Sequence, residues 1–222
     1  MVALKTFNNL SPEKQKVITN FCLSEFSIHE YEAVSLTSII KKMNISKGGF
    51  YRYFESKQSL YYFLLDHCTS KRQEFASKAD TQNTGDIFEL NKILFRNKIE
   101  FDRKFPLESG FLFRALHEKN NEELGDIQGA IRRMVMESIL VILKNAPVNV
   151  IRNDIDLELA AFVIFKFQIL INEYLEYKHP EKIKIDLTKG LYQIEESIAM
   201  RISDQCIEIL KGGLSNQKSK HL

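Results

Sequence analysis

Apolar residues recur at three- and four-residue spacing in nearly every segment of this 222-residue chain, and strict alternation is almost absent. That period belongs to helices, so the sequence predicts an all-α protein. Punctuation agrees, because four prolines and nine glycines are too few for a many-turned β protein. A chain of this length can bury a sizeable core, in one large domain or two smaller ones.

The first helix is expected from Ser11-Pro12-Glu13, which supplies a capping hydroxyl, a first-turn proline and an acid at the positive end of the dipole. Its expected apolar stripe is Val17, Ile18, Phe21, Cys22 and Phe26. A short helix follows Ser35 and ends near Asn44, a residue that tolerates the left-handed conformation. Ser56 opens a longer helix over about 56–78, and the polar stretch KADTQNTGD (78–86) breaks the chain after it. Further helices are expected over 86–104, from Pro106 to the EKNNEELGD loop, over 126–144, over 154–178 and from about 183 to 211. The tail SNQKSKHL is expected to fray.

The 154–178 segment is apolar almost all round, so it needs burial on several sides. With the stripe Leu187, Leu191, Ile194, Ile198, Ile202 and Ile209 it predicts a self-complementary homodimer face made by the two C-terminal helices. The plainer alternative is that both helices are core of a monomer.

Net charge is only +2, so any nucleic-acid affinity has to be local. It is local in one place. Between Ser35 and Lys57 five bases (Lys41, Lys42, Lys47, Arg52, Lys57) stand against one acid, Glu55. The same stretch reads as short helix, turn, short helix, the layout of a helix-turn-helix whose second helix enters the major groove. Gly48 and Gly49 at the head of that second helix permit close approach of a phosphate to backbone N–H groups. Tyr51 and Tyr53 supply hydroxyls to the wet side, while Phe50 and Phe54 are expected inward, against Ile39, Ile40 and Phe26. The alternative is a small helical cap whose charges are merely solvated.

The segment YEAVSLTSIIKKMNISKGGFYRYFESKQSLY resembles the DNA-binding domain of the TetR/AcrR family of transcriptional regulators. The family pattern is met by Phe26, Tyr31, Ser35, Ile39-Ile40, Met43 to Ser46, Lys47-Gly48, Tyr51 with Phe54, Lys57 and Leu60, over about residues 11–65. Glu30, Asn44 and Ile40 depart from it, standing where a glycine, a glycine and an alanine are usual.

The resemblance implies a DNA-binding domain over 1–57 and an effector-binding and dimerisation domain over 58–222. It implies that Ser35 and Thr37 hold phosphates, that Lys47, Gly49 and Arg52 lie at or near the reading surface, with phosphate contact alone the alternative for Lys47, and that Ser46 and Gly48 also bind DNA. Tyr51, Tyr53 and Lys57 would then touch the backbone. Arg52 is the expected guanine contact, since its fork matches O6 and N7; its alternative is a pairing with Glu55 three residues on. The implied partners are a palindromic double-stranded operator, a second copy of the chain and a small effector, with repression the expected sign. A hydrophobic or aromatic effector is expected among Phe95, Phe111, Arg114, His117, Met134, Phe165, Gln168 and Asn172, although such aromatics at helical spacing also read simply as core.

Other classes have little support. His67 and Cys68 are neighbours on a helix and point about 100° apart, which does not make a nucleophile and base. The remaining histidines show no metal spacing, and SKGGF lacks a phosphate-loop frame. No catalytic residue, metal or cofactor is expected. Three cysteines without CxxC spacing, an N-terminus without an apolar signal core, and an apolar run (Leu159–Phe165) too short to span a bilayer predict a cytoplasmic protein with no membrane partner. The competing functional reading is a helical dimeric interaction module without operator binding.

Overall fold

The computed structural model describes residues 5–80, 86–119, 121–145 and 151–214. They form α1 (Lys5–Asn8), α2 (Pro12–Ile28), α3 (Leu36–Lys42), α4 (Lys47–Tyr51), α5 (Lys57–Ala76), α6 (Ile87–Lys104), α7 (Pro106–Leu116), α8 (Ile127–Lys144), α9 (Leu157–Lys178), strands β1 (Ile183–Asp186) and β2 (Gly190–Tyr192), and α10 (Glu196–Leu214). The all-α expectation holds for the architecture. The predicted starts hold as well: Ser11 Oγ accepts from Lys14 N, Ser35 Oγ from Ser38 N and Ser56 Oγ from Ser59 N. Asn44 is left-handed, with φ 51°. The expected fraying of the tail lies outside the described residues.

Three details differ from the sequence reading. The helix expected from about 183 is a hairpin until Tyr192, and α10 begins only at Glu196. Its turn is fixed by Asp186, whose Oδ1 accepts from Thr188 N, Thr188 Oγ1 and Lys189 N, and by Gly190 at φ +88°. Ile183 and Ile185 alternate as a strand requires, yet Leu187, Leu191 and Ile194 also satisfy helical spacing, so periodicity alone misassigned them. Secondly, Val17 is exposed rather than part of the α2 stripe, which is Cys22, Leu23 and Phe26 with the small polar residues Thr19 and Ser27. Thirdly, α1 was not expected, and it buries Phe7 against Phe54 and Phe63, ring centroids 5.1 Å from each.

The residues fall into two compact units, each entered more than once by the chain. One takes the described parts of Met1–Glu74, Phe101–Ile131 and Ile185–Leu191; the other takes those of Phe75–Glu100, Arg132–Lys184 and Tyr192–Leu222.

In the first unit α7 lies along α2. Gly110 makes the close approach possible: a Cβ there would stand 3.3 Å from Ser27 Cβ and from Ile185 Cγ2. Ser27 Oγ sits between Leu23 O and Leu107 O, 2.6 and 3.1 Å away. An aromatic cluster fills the centre, with Tyr61 at 5.4 Å from both Phe26 and Tyr31 and 5.1 Å from Phe111. In the second unit Leu90, Leu94, Ile139, Leu143, Ala161, Ile164 and Phe165 form the core, and α9 lies beside α10.

Candidate nucleic-acid interface

The basic segment folds as α3, a turn through left-handed Asn44, and α4. Five residues containing two glycines would not hold a helix in water by themselves. The cap and the hydrophobic backing do it. Ser46 Oγ accepts from Gly49 N at 2.9 Å, and Phe50 and Phe54 are buried with centroids 5.6 Å apart. Phe54 continues to Phe63 at 5.3 Å, on the helix that follows. The expected partner Phe26 belongs instead to the Tyr31–Tyr61 cluster.

With its phenylalanines turned in, α4 turns Lys47, Gly48, Tyr51 and Arg52 out. Ser35, Thr37 and Ser46 are exposed too, while Gly49, Tyr53 and Lys57 are half-buried. The cap bonds use the Ser35 and Ser46 oxygens as acceptors, which leaves each O–H to donate outward. Among the described residues neither Lys47 nor Arg52 has an ion-pair partner, so the alternative pairing of Arg52 with Glu55 does not form. Lys42 differs, its Nζ lying 2.7 Å from Glu25 Oε1.

The model of bacterial regulatory proteins of the tetR family matches residues 23–62, which hold all of these elements from the middle of α2 to the head of α5. Over this segment the chain resembles the TetR family. An uncharacterized HTH-type transcriptional regulator of Bacillus subtilis (strain 168), YuxN, is 33% identical over 92 residues, 40% of this chain. That match spans about a third of YuxN's own length, 31%. A TetR-family regulator from Chloroflexus aurantiacus J-10-FL shares the fold, with a TM-score of 0.68 at 23% identity over 96% of this chain and 98% of its own. So does AibR, solved with isovaleryl coenzyme A and operator DNA, with a TM-score of 0.57 at 16% identity over 88% of this chain and 97% of its own.

The chain thus resembles, over residues 23–62, the DNA-binding part of transcriptional regulators, a family that is not enzymatic. Its histidine and cysteine neighbours fit that. Burial pushes the Cys68 thiol well above its ordinary range, and His67 faces Glu108 at 3.8 Å rather than Cys68. No group of three potential metal ligands and no helix long and apolar enough to cross a membrane occurs among the described residues.

Lys57 is not directed freely outward. Its Nζ sits 4.3 Å over the Tyr31 ring and 3.4 Å from Glu32 O, and burial lowers its pKa although Glu32, Glu123 and Glu118 act the other way. Sequence reasoning missed this surrounding, because Glu118 and Glu123 come from a segment read only as a loop.

The eight residues expected around an effector divide between the two units. Phe111, Arg114 and His117 belong to the first. There Phe111 packs on Tyr61, Arg114 Nη2 donates to Ile28 O at 3.2 Å, and His117 Nδ1 lies 2.8 Å from Phe113 O. Phe95, Met134, Phe165, Gln168 and Asn172 belong to the second, with Phe95 and Phe165 in its core and Asn172 Oδ1 accepting from Lys98 at 3.3 Å. A cavity of about 500 Å³ lies elsewhere, in the first unit, and five of its seven lining residues are glutamates.

Proposed function

We propose that this regulator is a repressor that binds a palindromic operator as a cytoplasmic homodimer and is released by a small hydrophobic or aromatic ligand. Residues 1–57 read DNA, and residues 58–222 bind the effector and the second copy. The observation that carries the reading is the outward set Lys47, Tyr51 and Arg52 on a helix backed by buried Phe50 and Phe54. Cations without internal partners on a firmly seated short helix suit phosphate and base contact.

In this reading Ser35, Thr37 and Ser46 donate to phosphates, and Gly48 and Gly49 admit the sugar-phosphate chain. Lys47 and Tyr51 clamp it, Tyr53 supports them, and Arg52 reaches a guanine edge. The homodimer is supported by α9, whose exposed residues Leu159, Phe162, Leu170, Tyr174 and Tyr177 recur at helical spacing along one side. An apolar stripe of that kind calls for a partner surface. Binding of a small-molecule ligand is supported by the neighbour AibR, solved with isovaleryl coenzyme A and operator DNA. Phe95, Phe111, Arg114, His117, Met134, Phe165, Gln168 and Asn172 remain its proposed contacts.

The test is fluorescence anisotropy on a labelled duplex from immediately upstream of the gene, beside a scrambled duplex, at two salt concentrations. Binding at least ~10³-fold tighter than to the scramble is expected. A folded dimer that binds neither duplex at low salt would be an interaction module instead.

A further inference from the structure

The segment between α7 and α8 is fastened to the DNA-reading head by side chains of its own. Glu118 is buried, and both its oxygens accept from Tyr31 N, at 3.0 and 3.1 Å. Glu123 Oε2 accepts from Tyr31 Oη at 2.5 Å. Further bonds run from Gln58 Nε2 to Glu123 O, from Tyr62 Oη to Leu124 O (2.8 Å) and from Lys119 Nζ to Glu30 Oε2 (3.0 Å). Tyr31 is thus gripped at its backbone and its hydroxyl by two carboxylates, and its ring face carries Lys57. The charges oppose DNA. Glu30, Glu32, Glu118, Glu122 and Glu123 line one cavity here, against the single cation Lys119.

We propose that Glu118 and Glu123 are internal competitors of DNA: through Tyr31 they hold Lys57 inside an acidic surrounding, and phosphate contact by Lys57 requires that hold to be given up. Lys57 opens α5, directly after the reading helix, where an ammonium would otherwise meet the DNA backbone. A phosphate and the glutamates attract the same cation, and a cation satisfied internally releases fewer counterions on binding DNA. Glu118 and Glu123 are therefore positioning residues acting on Lys57, and the inference rests on the DNA-binding reading above.

The variant Glu123→Gln removes the charge but keeps an oxygen for Tyr31 and the backbone carbonyl for Gln58. Two readouts are taken. The first is reductive methylation of Lys57 without DNA, followed by peptide mass; labelling is expected to quicken in Glu123→Gln and to stay unchanged in Glu122→Gln, which removes the same charge from a side chain that does not touch Tyr31. The second is affinity for a scrambled duplex, expected to rise about three- to tenfold at low salt, with the salt slope steeper by about one. That gain should vanish when Lys57→Ala is added. Unchanged Lys57 labelling, an unchanged slope, or a gain that survives Lys57→Ala would overturn the inference while wild-type binding stands. Absence of binding by both proteins would instead sink the DNA reading, and this inference with it.

Discussion

Phe50 and Tyr51 are adjacent, and one is fully buried while the other stands exposed at the interface. The single oxygen that separates them sets what each mutation does. Tyr51→Ala should weaken binding to every duplex by a similar factor, because a phosphate contact carries no sequence information. Arg52→Ala should cost about 1–3 kcal/mol on the preferred duplex and relax preference at one base pair. Affinities on a panel of single-position operator variants separate the two; an equal loss on scrambled DNA would remove Arg52 from base reading. Glu108 is a residue of a different kind, holding α5 to α7. Burial pushes its carboxyl up, but hydrogen bonds from His67 and Lys71 outweigh burial and bring it from 4.5 down to about 2. A depressed carboxylate stabilises the fold above its unfolded value and loses that contribution as pH falls through the folded one. At most about 3 kcal/mol, less after solvent screening, should therefore disappear between pH 4.5 and 2. Urea midpoints measured across that window should show a shallower pH dependence in Glu108→Gln than in the wild type.

At the scale of elements, capping chemistry was legible in the sequence because it is local. Ser11, Ser35 and Ser56 each cap the helix expected of them, and Asn44 turns left-handed where the chain must reverse. The hairpin was not legible, since its leucines fit a helical period as well as a strand. What decides between them is tertiary: a Cβ on Gly190 would lie 2.7 Å from both Asp102 O and Asp102 Oδ2. No local pattern announces that Asp102 will be there. Gly190→Ala, combining positive φ with that clash, should destabilise by about 1–3 kcal/mol, readable as a lowered midpoint of thermal unfolding. An unchanged midpoint would mean the hairpin is not held at Asp102. The acidic segment between α7 and α8 escaped notice for the same reason, as its partner Tyr31 lies 87 residues from Glu118 and 92 from Glu123.

At the scale of the whole molecule, the outward stripe of α9 bears on how many copies act together. Sequence reasoning found that helix too apolar for one buried side, and Phe162, Leu170 and Tyr174 are indeed left exposed. Phe162→Glu with Leu170→Asp should convert a dimer to monomers by sedimentation velocity. The same pair should reduce operator affinity far more than affinity for a single half-site, since two heads on one dimer gain from effective concentration. If the variant stays dimeric, α9 is not the contact. The effector residues were the least legible part of the sequence. Aromatic spacing identified buried positions such as Phe95 and Phe111, but burial is common to core and pocket, and the eight positions fall in different units.

Gly48 sits on the outward side of α4, and a Cβ built there would meet nothing within 4 Å. The anchors that seat the helix, Phe50 and Phe54, lie on its other side and do not depend on what occupies position 48. The protein thus carries a blank place in its reading helix, where mutation can alter the duplexes it accepts without disturbing its own folding. In the proposed DNA-binding role that is a route to new targets: one codon can change while the anchors that seat the helix are inherited intact.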